Sequence, residues 1–277
     1  MLVTLKEILK IAEARKCAVG SFNTPNLTTI KAVIGAAEEM NVPVIIMHAQ
    51  VHEEMGLCKM DDIIPLMVHY AKSANVPVCV HLDHGEDLRY LARALALGCT
   101  SVMYDGSTLD PKSNIENTIA AVVLAKLFGA SVEAEIGSMG ARESGAPGGD
   151  SIYTDPEEAA EFVRKTGIDA LACAFGTAHG IYLKAPKLDF DRLEKIKARV
   201  SVPIVMHGGS GVSEDDYRRV ISIGVRKINY YTYMAKAGAA VLRELSDKSF
   251  FHDIEVAAEK GMKEDVKKAL AVFSGKR

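Results

Sequence analysis

The sequence contains no long apolar run and no run of basic residues. No stretch approaches the roughly 20 apolar residues that a transmembrane helix requires, so we expect no membrane span. Lysine and arginine number 33 against 36 aspartates and glutamates, which leaves a net charge of −3. Basic residues are not interleaved with aromatic ones, so no nucleic-acid surface is predicted. We expect neither a membrane nor a nucleic acid among the partners.

Cysteine is scarce, and its spacing indicates neither a disulfide framework nor a metal site. The five cysteines are odd in number, lack CxxC spacing and mostly lie within apolar runs, where cysteine acts as a small hydrophobic residue. That pattern is typical of a reducing compartment. The first 16 residues space apolar side chains helically among lysines and glutamates, unlike the unbroken apolar core of a signal peptide. We expect a cytoplasmic protein.

Short segments rich in valine and isoleucine recur along the chain. They are almost continuously apolar, which is typical of parallel strands buried on both faces. Segments with helical periodicity lie between them, and two further helices follow at 232–245 and 254–272. The eight predicted strands are 17–22, 43–48, 77–81, 100–104, 131–135, 169–174, 203–207 and 225–229. The helices predicted between them are 27–40, 63–73, 88–97, 115–128, 156–165, 191–198 and 215–223.

Eight strands that alternate with helices predict an α/β protein with a closed (β/α)8 TIM barrel and extra C-terminal helices. An open doubly wound sheet usually has fewer strands and often a GxGxxG turn, which is absent. We expect residues 1–277 to form one domain. Residues 137–150 contain five glycines and a proline, so we predict a mobile active-site loop over about 137–154.

Active-site residues of such a barrel come from the C-terminal ends of its strands. The predicted strand ends carry a series of metal-ligating or acid–base groups, whereas structural polar residues would be scattered over both barrel ends. These residues are Asn23, His48, Asp83, His84, Asp105, Glu135, His179, His207 and Asn229. Asp83 and His84 are neighbours, and both can reach one site only if their strand ends about there.

His84, His179 and His207 come from three different strand ends, and three neutral imidazoles with an open fourth position are a common catalytic zinc arrangement. Taken singly, His84 could belong to a hydrogen-bonded structural cluster, and His179 could be an ordinary loop residue. His207 opens the segment HGGSG, which precedes a helix predicted to begin near Ser213. Glycines and a serine before a helix can supply N–H donors for a phosphate, although a plain strand–helix turn has the same appearance.

Several motifs, in order, make the chain resemble the class II ketose-bisphosphate aldolases, which include fructose-bisphosphate and tagatose-bisphosphate aldolases. They are AVGSFN (18–23), HLDHG (81–85), YDGS (104–107), VEAEIG (132–137), GTAHG (176–180), PKLDF (186–190), HGGSG (207–211) and KIN (227–229). The resemblance implies zinc-dependent, reversible cleavage of a phosphorylated ketose to dihydroxyacetone phosphate and an aldehyde such as glyceraldehyde 3-phosphate. Fructose 1,6-bisphosphate, tagatose 1,6-bisphosphate and related ketose 1-phosphates are the implied substrates.

The resemblance also implies residue roles. His84, His179 and His207 would bind zinc, with Asp105 and Glu135 at an alternative or second divalent position. Asp83 would move the hydroxyl proton, and Glu143 the proton on the dihydroxyacetone phosphate carbon. The implied substrate pocket, with a monovalent cation, consists of Asn23, Gly180, Lys184, Gly208, Gly209, Ser210, Asn229, Tyr231 and Thr232. The family forms dimers or tetramers, so we expect a homodimer or homotetramer.

The sequence departs from the family where the aldehyde half of the substrate should bind. Relatives carry a serine or threonine where Ala49 stands, and an Asp-Pro-Arg stretch where residues 250–254 read FFHDI. His252 is a weaker, pH-dependent substitute for a bidentate arginine. Tyr231 stands where relatives usually have a small or acidic residue. A non-phosphorylated or otherwise charged aldehyde therefore stays open as the second product.

Three rival interpretations are less consistent with the residues. Zinc hydrolases on this barrel usually place an HxH pair at the end of the first strand, and here that place reads Phe22-Asn23. A non-catalytic partner subunit should have lost the metal ligands. A Schiff-base mechanism would need a lysine such as Lys227 and would leave three convergent histidines without a role.

Overall fold

Strand and helix alternate along the chain in the computed structural model, which describes residues 1–137, 153–182, 184–245 and 249–276. The strands are β1 (Leu2–Val3), β2 (Val19–Asn23), β3 (Val44–Ala49), β4 (Val78–Gly85), β5 (Ser101–Tyr104), β6 (Ser131–Ile136), β7 (Ala170–Cys173), β8 (Ile204–Met206) and β9 (Val225–Asn229). The helices are α1 (Leu5–Arg15), α2 (Leu27–Met40), α3 (Gln50–Glu54), α4 (Met60–Ser73), α5 (Leu88–Ala96), α6 (Pro111–Leu127), α7 (Pro156–Thr166), α8 (Phe190–Lys197), α9 (Glu214–Ile223), α10 (Thr232–Val241) and α11 (Phe251–Ser274).

Strands β2 to β9 close into a ring. Each pairs in parallel with its sequence neighbour, and β9 pairs with β2, so no edge strand remains in the ring. This confirms the predicted (β/α)8 TIM barrel of the α/β class, and all eight predicted strands are present. The short β1, which pairs with the start of β4, was not predicted. Among the described residues, no helix is both long and apolar enough to cross a membrane.

The apolar residues of the strands contribute to two separate hydrophobic cores, one between the barrel and the surrounding helices and one inside the barrel. Ile45 and Ile46 are neighbours on β3, and both are fully buried because their side chains point to opposite faces. Ile46 packs outward with the helix layer, and Ile45 packs inside the barrel. The inner core also contains Leu5 and Ile8 of α1, so this helix closes one end of the barrel. A functional site is therefore expected at the opposite end of the barrel, where the strands have their C-terminal ends.

The predicted C-terminal helices are present as α10 and α11. They approach closely where each carries a glycine: a Cβ at Gly238 would lie 2.8 Å from Met262, and one at Gly261 would lie 2.9 Å from the Ala237 carbonyl oxygen. Phe273, near the end of α11, is fully buried, and its carbonyl accepts a hydrogen bond from the backbone N–H of Ala18 just before β2. The C-terminal end of α11 is therefore packed and hydrogen-bonded against the barrel next to β2.

Several helices begin upstream of their predicted first residues. Helix α6 begins at Pro111 rather than residue 115, because Asp110 caps it and proline suits the first helical position. Helix α4 begins at Met60 rather than residue 63. The five-residue α3 was not predicted.

Candidate active site

Three imidazole rings meet at one end of the barrel. His84 is the penultimate residue of β4, His179 lies on the loop after β7, and His207 directly follows β8. Their ring centroids are 4.7 to 5.9 Å apart, and one nitrogen of each lies within 4.8 Å of the others. This spacing lets all three rings share one cation, so the donor set fits the zinc ion expected from the sequence.

A local irregularity brings Asp83 and His84 into the same site. Between Leu82 and Gly85, β4 advances three residues while its partner β5 advances two, from Val102 to Tyr104. This is a β-bulge on β4. His84 has φ of 49°, in the left-handed region that few non-glycine residues occupy. Strand β4 ends at Gly85, as the prediction required, and the bulge lies directly before that end.

Asp83 is held as a carboxylate by two amide side chains. The Nδ2 atoms of Asn23 and Asn229 donate to its two oxygens at 3.0 and 3.1 Å. Burial raises the pKa of Asp83, but the nearby charges of His84 and His207 outweigh burial and hold that pKa well below its usual range. Asp83 is therefore ionised, and can accept a proton, at the edge of the three-histidine cluster.

Asp105 and Glu135 lie on the other side of His84, where His84, Asp105 and Glu135 form a second group with metal-ligand spacing. Asp105 Oδ2 is 2.6 Å from His84 Nδ1. Glu135 is buried, and its Oε2 has no hydrogen-bond partner among the described residues. Burial, followed by the charge of Asp105, raises the pKa of Glu135 well above its usual value. An unpaired buried carboxylate beside a second one fits a cation.

Glu133 and Lys227, which sequence reasoning did not assign to the zinc site, lie directly beneath the histidines. Glu133 Oε1 is 2.7 Å from His207 Nε2, and Glu133 Oε2 is 2.9 Å from Lys227 Nζ. Burial raises the pKa of Glu133, but the Lys227 ammonium and the bond to His207 together lower it to about 2. The sequence did contain a signal for this pair, because Glu133 and Lys227 are charged residues inside otherwise apolar strands.

A pocket next to the three histidines contains most of the predicted substrate-binding residues. It is lined by Asn23, Asp83, His179, Gly180, Gly208, Gly209, Ser210, Asn229, Tyr230, Tyr231 and Thr232. Lys184 is exposed on the loop that carries Gly180 and is not among the residues that line the pocket. Its role in binding stays a prediction.

The helix that begins in the wall of this pocket is α10, not the helix that follows HGGSG. The predicted helix near Ser213 is α9, whose first turn is capped by the Ser213 side chain and carries Glu214, Asp215 and Asp216. Those three carboxylates would repel a phosphate. Helix α10 begins at Thr232 in the pocket wall, and its first turn has no acidic residue. The positive end of α10 is therefore the better anion site.

Two glycines allow three loops to meet at the pocket. A Cβ at Gly208 would lie 2.5 Å from the carbonyl oxygen of Ala178, and one at Gly209 would lie 2.6 Å from that of Asn229. Gly208 also has φ of 62°, which favours glycine. The glycines of HGGSG thus bring the backbone after β8 against the loop that carries His179.

His48, although at a strand end, does not join the metal ligands. Buried His48 has its Nε2 3.0 Å from the Tyr90 hydroxyl and 3.7 Å from Glu53 Oε2, and its Nδ1 3.8 Å from Cys58 Sγ; these three neighbours are partly exposed. His52 was not singled out in the sequence; it is buried, and its ring centroid lies 5.0 Å from that of Tyr231.

Two further sequence predictions concern His252 and the loop that carries Glu143. His252 is mostly exposed and stacks on the ring of Phe250, with centroids 5.6 Å apart. Glu143 and most of the predicted 137–154 loop lie outside the described residues.

Comparison with known proteins agrees with this arrangement. The chain belongs to the class II fructose-bisphosphate aldolase family, whose profile matches residues 3–276. It is 38% identical over 259 residues to YdjI of Escherichia coli K12, a protein described as uncharacterized, with 92% of this chain and 91% of YdjI aligned. The crystal structure of the YdjI aldolase superposes with a TM-score of 0.89 at 36% identity, over 99% of this chain and 97% of YdjI.

Two further crystal structures are similar. A candidate fructose-1,6-biphosphate aldolase from Coccidioides immitis has a TM-score of 0.88 and 28% identity, over 97% of this chain and 95% of that one. The fructose-bisphosphate aldolase of Campylobacter jejuni has a TM-score of 0.81 over 98% and 95% of the two chains; at 23% identity it supports the fold alone. Family and fold together identify an aldolase.

Proposed function

We propose that the protein is a zinc-dependent aldolase that reversibly cleaves a phosphorylated ketose into dihydroxyacetone phosphate and an aldehyde. The observation that carries this proposal is the meeting of His84, His179 and His207 beside the ionised Asp83. When bound by the three histidines, zinc supplies a Lewis acid that stabilises the negative charge left by a broken carbon–carbon bond.

Asp83 handles the proton of the hydroxyl at the cleaved bond. Its carboxylate is ionised and fixed by Asn23 and Asn229, so in cleavage it accepts that proton as the aldehyde forms. In condensation the same group returns the proton. Glu143, by family resemblance, moves the proton on the dihydroxyacetone phosphate carbon.

The phosphate of the ketose is held where HGGSG meets the start of α10. The positive end of that helix and the backbone around Gly208 and Ser210 suit a doubly charged anion. A Schiff-base mechanism has less support. Lys227 Nζ is fully buried and paired with Glu133, so a substrate carbonyl has no path to it.

At the end of the pocket where the aldehyde half would bind, no residue that the structure describes specifically favours a second phosphate on the substrate. His252 stands where relatives carry an arginine, and it is exposed and stacked on Phe250. An aldehyde without a distal phosphate is therefore the second candidate product, and a ketose 1-phosphate the corresponding substrate.

The deciding experiment is a condensation screen with zinc-loaded protein, dihydroxyacetone phosphate and a panel of aldehydes, with products detected by mass spectrometry. The panel contains glyceraldehyde 3-phosphate and unphosphorylated and carboxylated aldehydes. We expect at least one ketose 1-phosphate product that disappears on chelation. Absence of any product, together with absence of solvent exchange into dihydroxyacetone phosphate, would exclude an aldolase.

A further inference from the structure

The barrel interior beneath the three histidines contains a second layer of polar side chains. Strand alternation places every second residue on the same face, so His81 lies below Asp83 on β4, Glu133 below Glu135 on β6, and Lys227 below Asn229 on β9. His81, Glu133 and Lys227 each have no exposed surface. The upper members of these pairs face the proposed reaction, whereas the lower ones are sealed from substrate.

Within this second layer, Glu133 contacts a predicted metal ligand. Its Oε1 lies 2.7 Å from His207 Nε2, while the other ring nitrogen, His207 Nδ1, lies 2.9 Å from His84 Nε2. A carboxylate only accepts hydrogen bonds, so the Nε2 atom of His207 carries the proton. The lone pair of Nδ1 is then directed at the point that the three rings share.

Lys227 provides the charge that lets Glu133 remain a carboxylate inside the barrel. An isolated buried carboxylate is strongly disfavoured, whereas a paired one is tolerated. Lys227 Nζ lies 2.9 Å from Glu133 Oε2, as an ion pair whose geometry does not meet that of an aligned hydrogen bond. His81 Nε2 is 3.7 Å from the same oxygen, and His81 Nδ1 is bound to Ser101 Oγ at 2.8 Å.

We propose that Glu133 is a positioning residue that fixes His207 with Nδ1 toward the metal, and that Lys227 is its counter-ion. This inference rests on the zinc site of the proposed function. Partners of this kind orient ligand histidines, and their loss typically weakens metal binding 10- to 100-fold. Lys227 thus has an indirect role in the reaction and forms no bond with substrate.

The test compares zinc affinity in the full-length wild type and in Glu133→Gln, by competition with a chromophoric chelator, and the visible spectra of the cobalt-substituted proteins. We expect zinc affinity to fall by about 10- to 100-fold and the cobalt spectrum to change. The matched control is Glu13→Gln, which breaks the ion pair of Arg226, the residue next to Lys227 on β9. That control should leave both readouts unchanged.

A folded Glu133→Gln protein with wild-type zinc affinity and cobalt spectrum would overturn the proposal. If Glu133→Gln does not fold, the double variant Glu133→Gln/Lys227→Met, which leaves no unpaired buried charge, is judged by the same two readouts. The wild-type arm separates this inference from the proposed function. A wild type that binds zinc but catalyses no aldol reaction would reject the function alone, whereas unchanged affinity in the variants of an active aldolase would reject the inference alone.

Discussion

Nδ1 of His207 lies 2.9 Å from Nε2 of His84, although 123 positions separate the two residues. In each ring the other nitrogen contacts a carboxylate: Asp105 contacts the Nδ1 of His84, and Glu133 contacts the Nε2 of His207. The two nitrogens that face each other are therefore the ones available to a shared cation. This relationship defines which atom of each ring is the expected ligand.

Metal removal should abolish cleavage. The three rings are the only acceptors we assign to the catalytic ion, so exhaustive chelation is expected to stop the reaction, and zinc or cobalt to restore it. His179→Ala should weaken zinc binding, whereas His69→Ala, which removes a histidine of α4 outside the site, should not. Full activity in protein shown to be free of metal would reject the mechanism.

Replacement of Asp83 by alanine should lower kcat at least about 100-fold, the typical contribution of a positioned acid–base group. Zinc affinity should change little, because Asp83 is not one of the three ligands. Asp110→Ala is a useful comparison, since it removes a helix cap that is not among the assigned site residues and should cost about 1 kcal/mol of stability with no change in kcat. An undiminished rate in Asp83→Ala would remove this residue from the mechanism.

Glu143→Ala should suppress the exchange of the C3 proton of dihydroxyacetone phosphate with deuterated solvent, measured by NMR. The reason is its implied role as the base at that carbon. Glu161→Ala, on exposed α7, serves as the control. Exchange at the wild-type rate in Glu143→Ala would assign the carbon base to another residue.

Gly208→Ala should raise KM for the phosphorylated substrate. Its new Cβ would meet the Ala178 carbonyl oxygen, so the loop that lines the proposed phosphate pocket must shift. Gly129 has a similar φ of 68°, but a Cβ added there would have no atom within 4 Å. Gly129→Ala therefore isolates the conformational strain, of roughly 1–2 kcal/mol, from the collision. Equal KM values for the two variants would contradict the close approach.

His48 should make stability depend on pH below neutrality. Burial lowers the pKa of His48 to about 4, despite the opposing charge of Glu53. The unfolded chain, with a histidine pKa near 6.5, binds a proton that the folded chain excludes, so stability is lost as pH falls from about 6.5 to about 4. The free energy of unfolding of wild type and His48→Gln is measured with urea. As pH falls over that range, the wild type should lose about 2–3 kcal/mol relative to the variant. A difference in free energy of unfolding that does not change with pH would contradict a buried, neutral His48. His69→Gln, on α4, is the control.

The strands and most helices could be predicted because their signals are local. Apolar runs of four to eight residues and helical periodicity depend on neighbours in sequence, and they placed α2 at residues 27–40 as observed. The cap of Asp110 extended α6 beyond its apolar pattern, and α3 had too few residues for a period to appear. The same locality explains why polar residues at strand ends identified the end of the barrel at which the three histidines meet.

The sequence by itself determined a parallel barrel with His84, His179 and His207 at strand ends, since alternation and composition are properties of each segment alone. Only the tertiary structure decided which helix begins in the pocket wall, that His48 contacts Tyr90 and Cys58, and that Glu133 contacts His207. Those outcomes depend on register between strands far apart in sequence and on a bulge at His84. A shift of one residue would turn each of these side chains to the opposite face of the barrel.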